Sequence, residues 1–211
     1  MAQQNPTGEP VKDTQPESPQ SPQPAGSTPA RWGVLIGIGG LVIALDQTVK
    51  WLVSTRLTPG QSWEPIPAIA SLIKITYSYN SGAAFGMLPQ ASDLFLLLAL
   101  ITVVAFIVSY PRLPSHAWLS RVSIGLISGG ALSNALDRLL IHHVIDYVHV
   151  QITPTFSNIS NLADHSITVG VVLLLVDQWL AERRTAAEAK PAEAEAEGAA
   201  QVGDSSHREA G

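Results

Sequence analysis

The residues best able to do chemistry lie between Asn134 and Asp164, a stretch reading NALDRLLIHHVIDYVHVQITPTFSNISNLAD that holds three aspartates, one arginine and three asparagines. Asp137, Asp146 and Asp164 stand at or just beyond the ends of apolar runs, where a charge is costly unless it is paired, hydrated or used. Asn161-x-x-Asp164 has the pattern of a helix start, with Asn161 or Ser160 as the cap and the aspartate in the first turn, where the helix N-terminus favours an anion. If Asp146 folds back beside Asp164 across the Pro154 loop, two partly desolvated carboxylates cannot both ionise cheaply and share one proton near neutral pH. One member of such a dyad activates water, while the other protonates a carbonyl oxygen or a leaving amine. That is peptide hydrolysis without a metal or a covalent nucleophile.

Other chemistries have less support in the residues. His142, His143, His149 and His165 lie near the acids, but none shows a recognised ligand spacing such as H-E-x-x-H, so no metal and no cofactor is expected and the histidines read as solvated loop residues. The chain has no cysteine, which excludes thiol catalysis and disulfides. Ser133 and Ser166 have surroundings that fit helix packing better than nucleophilic attack, and Lys50 has an aspartate, Asp46, one turn before it.

Four apolar runs are placed to position these groups. Of the 211 residues 46% are hydrophobic and only 14% charged, and there is no basic stripe of the kind that binds nucleic acid. The net charge of −5 is uneven: Met1 to Arg31 contribute −1, Trp32 to Ala181 contribute −1 and Glu182 to Gly211 contribute −3. Residues 1–30 hold seven of the fifteen prolines among Gln, Ser and Gly and read as a disordered tail, and they lack the basic-then-apolar start of a secretory signal. Trp32 to Val53 is then a retained first transmembrane helix, Leu94 to Tyr110 the second, Trp118 to Leu136 the third and Leu162 to Leu180 the fourth, each near the length that spans a hydrocarbon core of ~30 Å. Residues 185–211, rich in Ala and Glu, have no apolar face and read as a second disordered tail, leaving 31–184 as the membrane domain.

Between the first two spans, Ile73, Ile75, Tyr77 and Tyr79 alternate with polar residues, a strand that must lie outside the hydrocarbon. The small residues from Asn80 to Gly86 suit a turn. Gly125, Gly129 and Ser133 recur every four residues, a pattern for close helix packing in lipid. Asp46 and Lys50 at i, i+4 can pair, with the lysine within reach of headgroups, and Asp137 next to Arg138 is open to a simple ion pair. Arg31, Arg112, Arg121, Arg183 and Arg184 fall on one side of the membrane and Lys50, Arg56, Lys74 and Arg138 on the other, which puts both termini in the cytoplasm and the acids at the outer surface.

Five segments in order resemble the bacterial lipoprotein signal peptidases, also called signal peptidase II, a family of integral-membrane aspartic peptidases. They are Asp46-Gln47-x-x-Lys50, Asn80-x-Gly82-Ala83-Ala84-Phe85, Gly129-Gly130-Ala131-x-x-Asn134-x-x-Asp137-Arg138, Val144-Ile145-Asp146-Tyr147 and Asn161-Leu162-Ala163-Asp164. The resemblance covers about residues 32–182. It implies an all-α membrane protein of four transmembrane helices with a small extracytoplasmic β-cradle, acting on diacylglyceryl prolipoproteins just before the lipid-modified cysteine and inhibited by globomycin. It also implies Asp146 and Asp164 as the catalytic pair, Asn80, Asn134, Arg138 and Asn161 as residues around the scissile bond, and Asp46, Lys50 and Asp137 as residues that shape the site. Two positions depart from the family pattern: Ser160 stands where an aromatic precedes the asparagine, and Tyr147 where phenylalanine is commoner. The expected partners are the prolipoprotein substrate and membrane lipid, with the chain acting as a monomer. The rival readings are a proton-coupled transporter using the outer-face carboxylates and a non-catalytic scaffold. Spans two to four carry no midplane acid or proline of the kind a transporter uses, and a scaffold does not explain the acids.

Overall fold

A computed structural model describes residues 29–82, 92–114, 116–153 and 156–208, with side chains described as far as residue 185 and at residue 187. Four long helices, α1 (Pro29–Arg56), α2 (Ser92–Ser109), α3 (Trp118–Ile141) and α4 (Leu162–Arg208), are joined on one side by a small sheet. All four contain segments long and apolar enough to cross a membrane. Their large aliphatic side chains, such as Leu41, Leu97, Val104, Val172 and Leu175, are exposed, as lipid-facing surfaces require. The protein is a multi-pass membrane protein.

α3 is the most enclosed helix and packs against each of the other three. Small residues make this possible. A Cβ on Gly129 would come within 2.8 Å of the Gly39 Cα on α1, and one on Gly130 would overlap the Ala163 carbonyl oxygen in the first turn of α4. The second contact sets how closely α4 delivers Asp164 to α3. Gly125 and Ser133 continue the stripe, Ser133 fully buried against α1.

The sheet is antiparallel throughout, in the order β1 (Ser62–Trp63), β2 (Ile73–Asn80), β3 (Val144–Gln151), β4 (Ser157–Ser160). β2 and β3 pair from Ile75 opposite Val148 to Ser78 opposite Asp146, so β2 carries one extra residue between these points. A bulge of this kind reverses which side chains share a face beyond it. Without it Tyr77 would oppose Asp146; with it Ser78 does, and Asn80, two residues on, joins Asp146 on the same face. Val53, Tyr77, Ile145 and Tyr147 form an apolar cluster that seats the sheet on the end of α1.

The opposite ends of the helices are tied separately. Tyr110, on the short 3₁₀ turn that ends α2, donates its hydroxyl to the Arg31 carbonyl and stacks on Trp32 with ring centroids 5.0 Å apart. Asp177 of α4 accepts from both the backbone N–H and the hydroxyl of Ser120 in the first turn of α3.

The observed elements are longer than composition suggests. α3 continues to Ile141 and stops only where His142 adopts a left-handed conformation (φ 63°), its N–H bonding the Arg138 carbonyl. α4 continues to Arg208, past the limit of 184 placed on the membrane domain, and the Ala/Glu-rich composition that lacks an apolar face has high helix propensity. Strands β1, β3 and β4 join the strand read at 73–79 in the small β-cradle that the family resemblance implies. Residues 1–28, Ala83 to Gly86 of the expected turn, and Pro154 lie outside the described residues.

Candidate active site

Asp146 comes from β3 and Asp164 from the first turn of α4, and amide side chains link them. Asn161 Nδ2 donates to Asp146 Oδ1 at 2.7 Å and to Asn134 Oδ1 at 3.1 Å, and Asn134 Nδ2 donates to Asp164 Oδ1 at 2.8 Å. Asn80 Nδ2 reaches Asp146 Oδ2 at 2.9 Å. Asn161 and Asp164 cap α4 reciprocally: Asn161 Oδ1 accepts the Asp164 N–H at 2.9 Å, and Asp164 Oδ2 accepts the Asn161 N–H at 3.3 Å. Among the described residues neither carboxylate has an ion-pair partner. Burial, and then the nearby charge of Asp164, push the Asp146 carboxyl from 3.8 up to about 7, against the opposing pull of Asn80, Asn161 and Lys50. Near neutral pH this side chain is therefore divided between its two protonation states.

A second acidic cluster adjoins the first. Lys50 Nζ lies 2.7 Å from both Asp46 Oδ2 and Asp137 Oδ2 and donates to Asn134 Oδ1 at 2.9 Å. Asp46 and Lys50 are 0% and 1% exposed, so the lysine does not reach headgroups; two acids and an amide hold it inside. Asp137 does not pair with Arg138 either. It accepts from Lys50, from Gln47 Nε2 at 2.7 Å and from the Ile145 N–H at 3.2 Å, because its place on α3 turns it toward α1 and the start of β3. Asp46 Oδ1 accepts the Ala163 N–H at 3.2 Å and the Tyr147 hydroxyl at 3.1 Å, and Tyr147 Oη accepts the Leu162 N–H at 3.0 Å. With Asn161 and Asp164 capping each other, the four orphan donors of the α4 N-terminus, the N–H groups of Asn161, Leu162, Ala163 and Asp164, all have acceptors, and the His165 N–H makes the first intrahelical bond to the Asn161 carbonyl.

A cavity of about 530 Å³ opens beside the amide-linked pair, between α2, α3, α4 and the sheet. Asp164, Asn134, Asn80 and Arg138 line its polar side, and Leu98, Ile127 and Ile167 its apolar side. Asp146 lies behind this wall, 2% exposed. Arg138 is half-buried, its Nη1 on the Asn134 carbonyl at 3.2 Å and its guanidinium 5.6 Å from the Phe95 ring centroid.

Comparison with known proteins decides what kind of molecule carries this arrangement. Residues 38–180 match the family model described as signal peptidase (SPase) II. The chain is 39% identical over 145 residues to the lipoprotein signal peptidase of Desulfitobacterium hafniense (strain DSM 10664 / DCB-2), covering 69% of this chain and 92% of that protein. It is 40% identical over 142 residues to that of Geobacillus kaustophilus (strain HTA426), covering 67% and 90%. The chain belongs to the signal peptidase II family. A solved structure described as a bacterial membrane enzyme aligns with a TM-score of 0.64 at 31% identity, over 70% of this chain and 88% of that one, and a second with a TM-score of 0.60 at 32% identity, over 68% and 91%. Membership in a peptidase family leaves the transporter reading without support.

Seen as a signal peptidase II, the chain gives its two departures distinct places. The Tyr147 hydroxyl turns away from the cavity, bridging Asp46 and the α4 N-terminus, and burial and the neighbouring Asp46 hold the phenol protonated by raising its pKa. Ser160 does line the cavity, with its hydroxyl 3.2 Å from His165 Nε2. The other histidines have separate neighbours: His142 caps α3, His143 packs edge-on against Tyr79 at 4.2 Å, and His149 contacts Thr76 and Ser157 hydroxyls. Among the described residues no group of three or more His, Asp or Glu is arranged to hold a metal ion.

Sequence reasoning assigned no role to Gln47, which also donates to the carbonyl and hydroxyl of Ser133 at 3.1 Å. The spacing of Ser133 points to packing, yet its hydroxyl donates to Asp46 Oδ2 at 2.7 Å. Asp46, Gln47 and Lys50 share one face of α1 by their i, i+1, i+4 spacing, and that was the available signal.

Proposed function

We propose that this protein is an aspartic endopeptidase of the membrane that removes signal peptides from diacylglyceryl prolipoproteins, cutting just before the lipid-modified cysteine, with Asp146 and Asp164 as its catalytic pair. The observation that carries the reading is that two carboxyl groups from different elements meet beside a half-apolar cavity, bridged by amides and lacking any cation partner among the described residues. In the singly protonated pair, the ionised carboxylate takes a proton from water as the water oxygen attacks the scissile carbonyl carbon. The protonated one supplies the proton that the leaving amide nitrogen takes when the C–N bond breaks. The proton belongs to the pair and not to either residue.

The polar wall serves the peptide and the apolar wall the lipid. Asn80, Asn134 and Asn161 hold the carboxylates, and Arg138, whose Nε has no hydrogen-bond partner among the described residues, offers a donor to a substrate carbonyl. A signal helix and acyl chains that remain in the bilayer present their bond at the interface, where the helix ends and the sheet meet. The arginines at the end opposite the sheet favour cytoplasmic termini and an extracytoplasmic site, with 31–184 as the peptidase domain between two cytoplasmic tails and the monomer as the working unit. Because the chain has no cysteine, single cysteines introduced at Ser71 and at Ser27 report sidedness by labelling with an impermeant maleimide in intact cells. Labelling at position 27 and not at 71 reverses the orientation.

The direct test is cleavage of a lipidated precursor by the purified protein, with the unlipidated precursor as control. Asp146→Asn and Asp164→Asn should each abolish cleavage while the protein inserts and melts as the wild type does; turnover retained in either variant rejects the pair.

A further inference from the structure

Three asparagines give N–H donors to the two carboxylates, and each has its amide oxygen engaged by a group that can only donate. Asn80 Oδ1 accepts the Gly82 N–H at 3.1 Å, Asn161 Oδ1 the Asp164 N–H at 2.9 Å, and Asn134 Oδ1 the Lys50 ammonium at 2.9 Å. Every amide is thereby turned with its NH₂ toward an acid: Asn80 and Asn161 toward Asp146, Asn134 toward Asp164. Backbone holds two of the three. The third is a side chain reaching across from α1. Asn161 Nδ2 also touches Asn134 Oδ1, at 3.1 Å, but it shares its protons with Asp146 at 2.7 Å and the Ile145 carbonyl at 3.4 Å, so the charge-assisted bond from Lys50 is the stronger hold.

We propose that Lys50 is a positioning residue that locks the amide of Asn134 with its NH₂ on Asp164, and that this lock sets the pH range over which the aspartyl pair works. The inference rests on the reading of Asp146 and Asp164 as the catalytic pair. An N–H donor favours the ionised carboxylate, whereas a carbonyl in its place accepts only from the protonated acid. Releasing the lock lets Asn134 present its oxygen to Asp164, which keeps both acids protonated up to a higher pH and withdraws the singly protonated form. The titratable and charged groups around Asp164 are Asp46 and Lys50 from α1, Asp137 and Arg138 from α3, Asp146 and the Tyr147 phenol from β3, and the adjacent His165 on α4. Lys50 also acts on the pair directly through its charge, so the experiment separates the two routes.

The measurement is the pH dependence of kcat and KM for Lys50→Met and Lys50→Arg. A neutral version, Asp46→Asn/Lys50→Met/Asp137→Asn, strands no charge and covers failure of Lys50→Met to fold. Each is repeated in an Asn134→Ala background. In both folded variants without the lysine, kcat should drop about tenfold with KM changed by less than about twofold, and the acid limb should move to higher pH. Lys50→Arg, which keeps a donor, should restore the limb. In the Asn134→Ala background the displacement should shrink to the part that the charge alone causes, because a route through the amide requires the amide. A limb unmoved in a folded variant without the lysine overturns the proposal, as does a displacement that persists undiminished without Asn134, which would assign the effect to charge alone. Retained cleavage by Asp146→Asn or Asp164→Asn would instead overturn the catalytic pair itself.

Discussion

Two pairs of aspartates sit side by side where α1, α3, α4 and the sheet meet, and they differ in what lies between their members. Asp46 and Asp137 share the Lys50 ammonium, with 2.7 Å on either side; Asp146 and Asp164 share two asparagine amides. An ammonium between two carboxylates settles their charge, whereas amides satisfy hydrogen bonds and leave one proton to be gained or lost. Residues of one type in neighbouring places are thus fixed by a cation in one pair and joined by neutral amides in the other. The fixed pair also closes the α4 N-terminus through the Ala163 N–H, and so holds in place the turn that carries Asp164.

The sharpest break of this contrast sets removal of an acid from the amide-linked pair against removal of the cation from the other. Asp146→Asn or Asp164→Asn should lower the cleavage rate about 10³-fold or more, by loss of general acid–base function, with little change in melting temperature. Lys50→Met should do the opposite first, lowering stability by about 3–5 kcal/mol because Asp46 and Asp137 are left buried without their cation. Thermal unfolding in detergent against precursor cleavage per folded molecule distinguishes the two. If Asp146→Asn destabilised the fold as strongly as Lys50→Met, the distinction between the pairs would be wrong.

A smaller effect should appear with pH alone. Asp146 rises from 3.8 to about 7 on folding, so the folded state binds the proton more tightly, and the stability this group contributes falls as pH rises across that interval. Cleavage by the singly protonated pair should likewise decline above about pH 7 as the shared proton leaves. In Asp146→Asn the stability should become less dependent on pH across the same interval, as urea or thermal unfolding at several pH values would show. Smallest of all, Tyr147→Phe removes one hydroxyl that donates to Asp46 and accepts from Leu162, for a loss of about 1 kcal/mol with cleavage close to that of the wild type. A large loss of cleavage there, at normal stability, would mean that the fixed pair reaches further into the chemistry.

The four spans were legible because lipid demands long apolar runs, and Pro111, Pro114 and the cap at Asn161 mark where two of them change direction. The two catalytic candidates were legible because acids at the ends of such runs are rare. The hairpin of β3 and β4 was not. VIDYVHVQ carries apolar residues on both faces, and its first four residues are all buried, so no period-two contrast separates it from the helix before it. The Lys50 to Asp137 bridge was also hidden, since it joins positions 87 apart and the nearer cation, Arg138, invites the wrong pairing. Tyr147 reads as a wall residue until its hydroxyl is placed.

The kink in β2 makes the facing of Asn80 a matter of local geometry. Deleting one residue between Ile75 and Ser78 would straighten the ladder with Ser78 still opposite Asp146 and Asn80 still on the Asp146 face, so the strand can shed its spare residue without disarming the site. Losing the bulge with every residue kept would instead set Tyr77 opposite Asp146 and swing Asn80 to the back of the sheet. The aim of that asparagine thus depends on where the strand stores its surplus, and not on how many residues the strand holds.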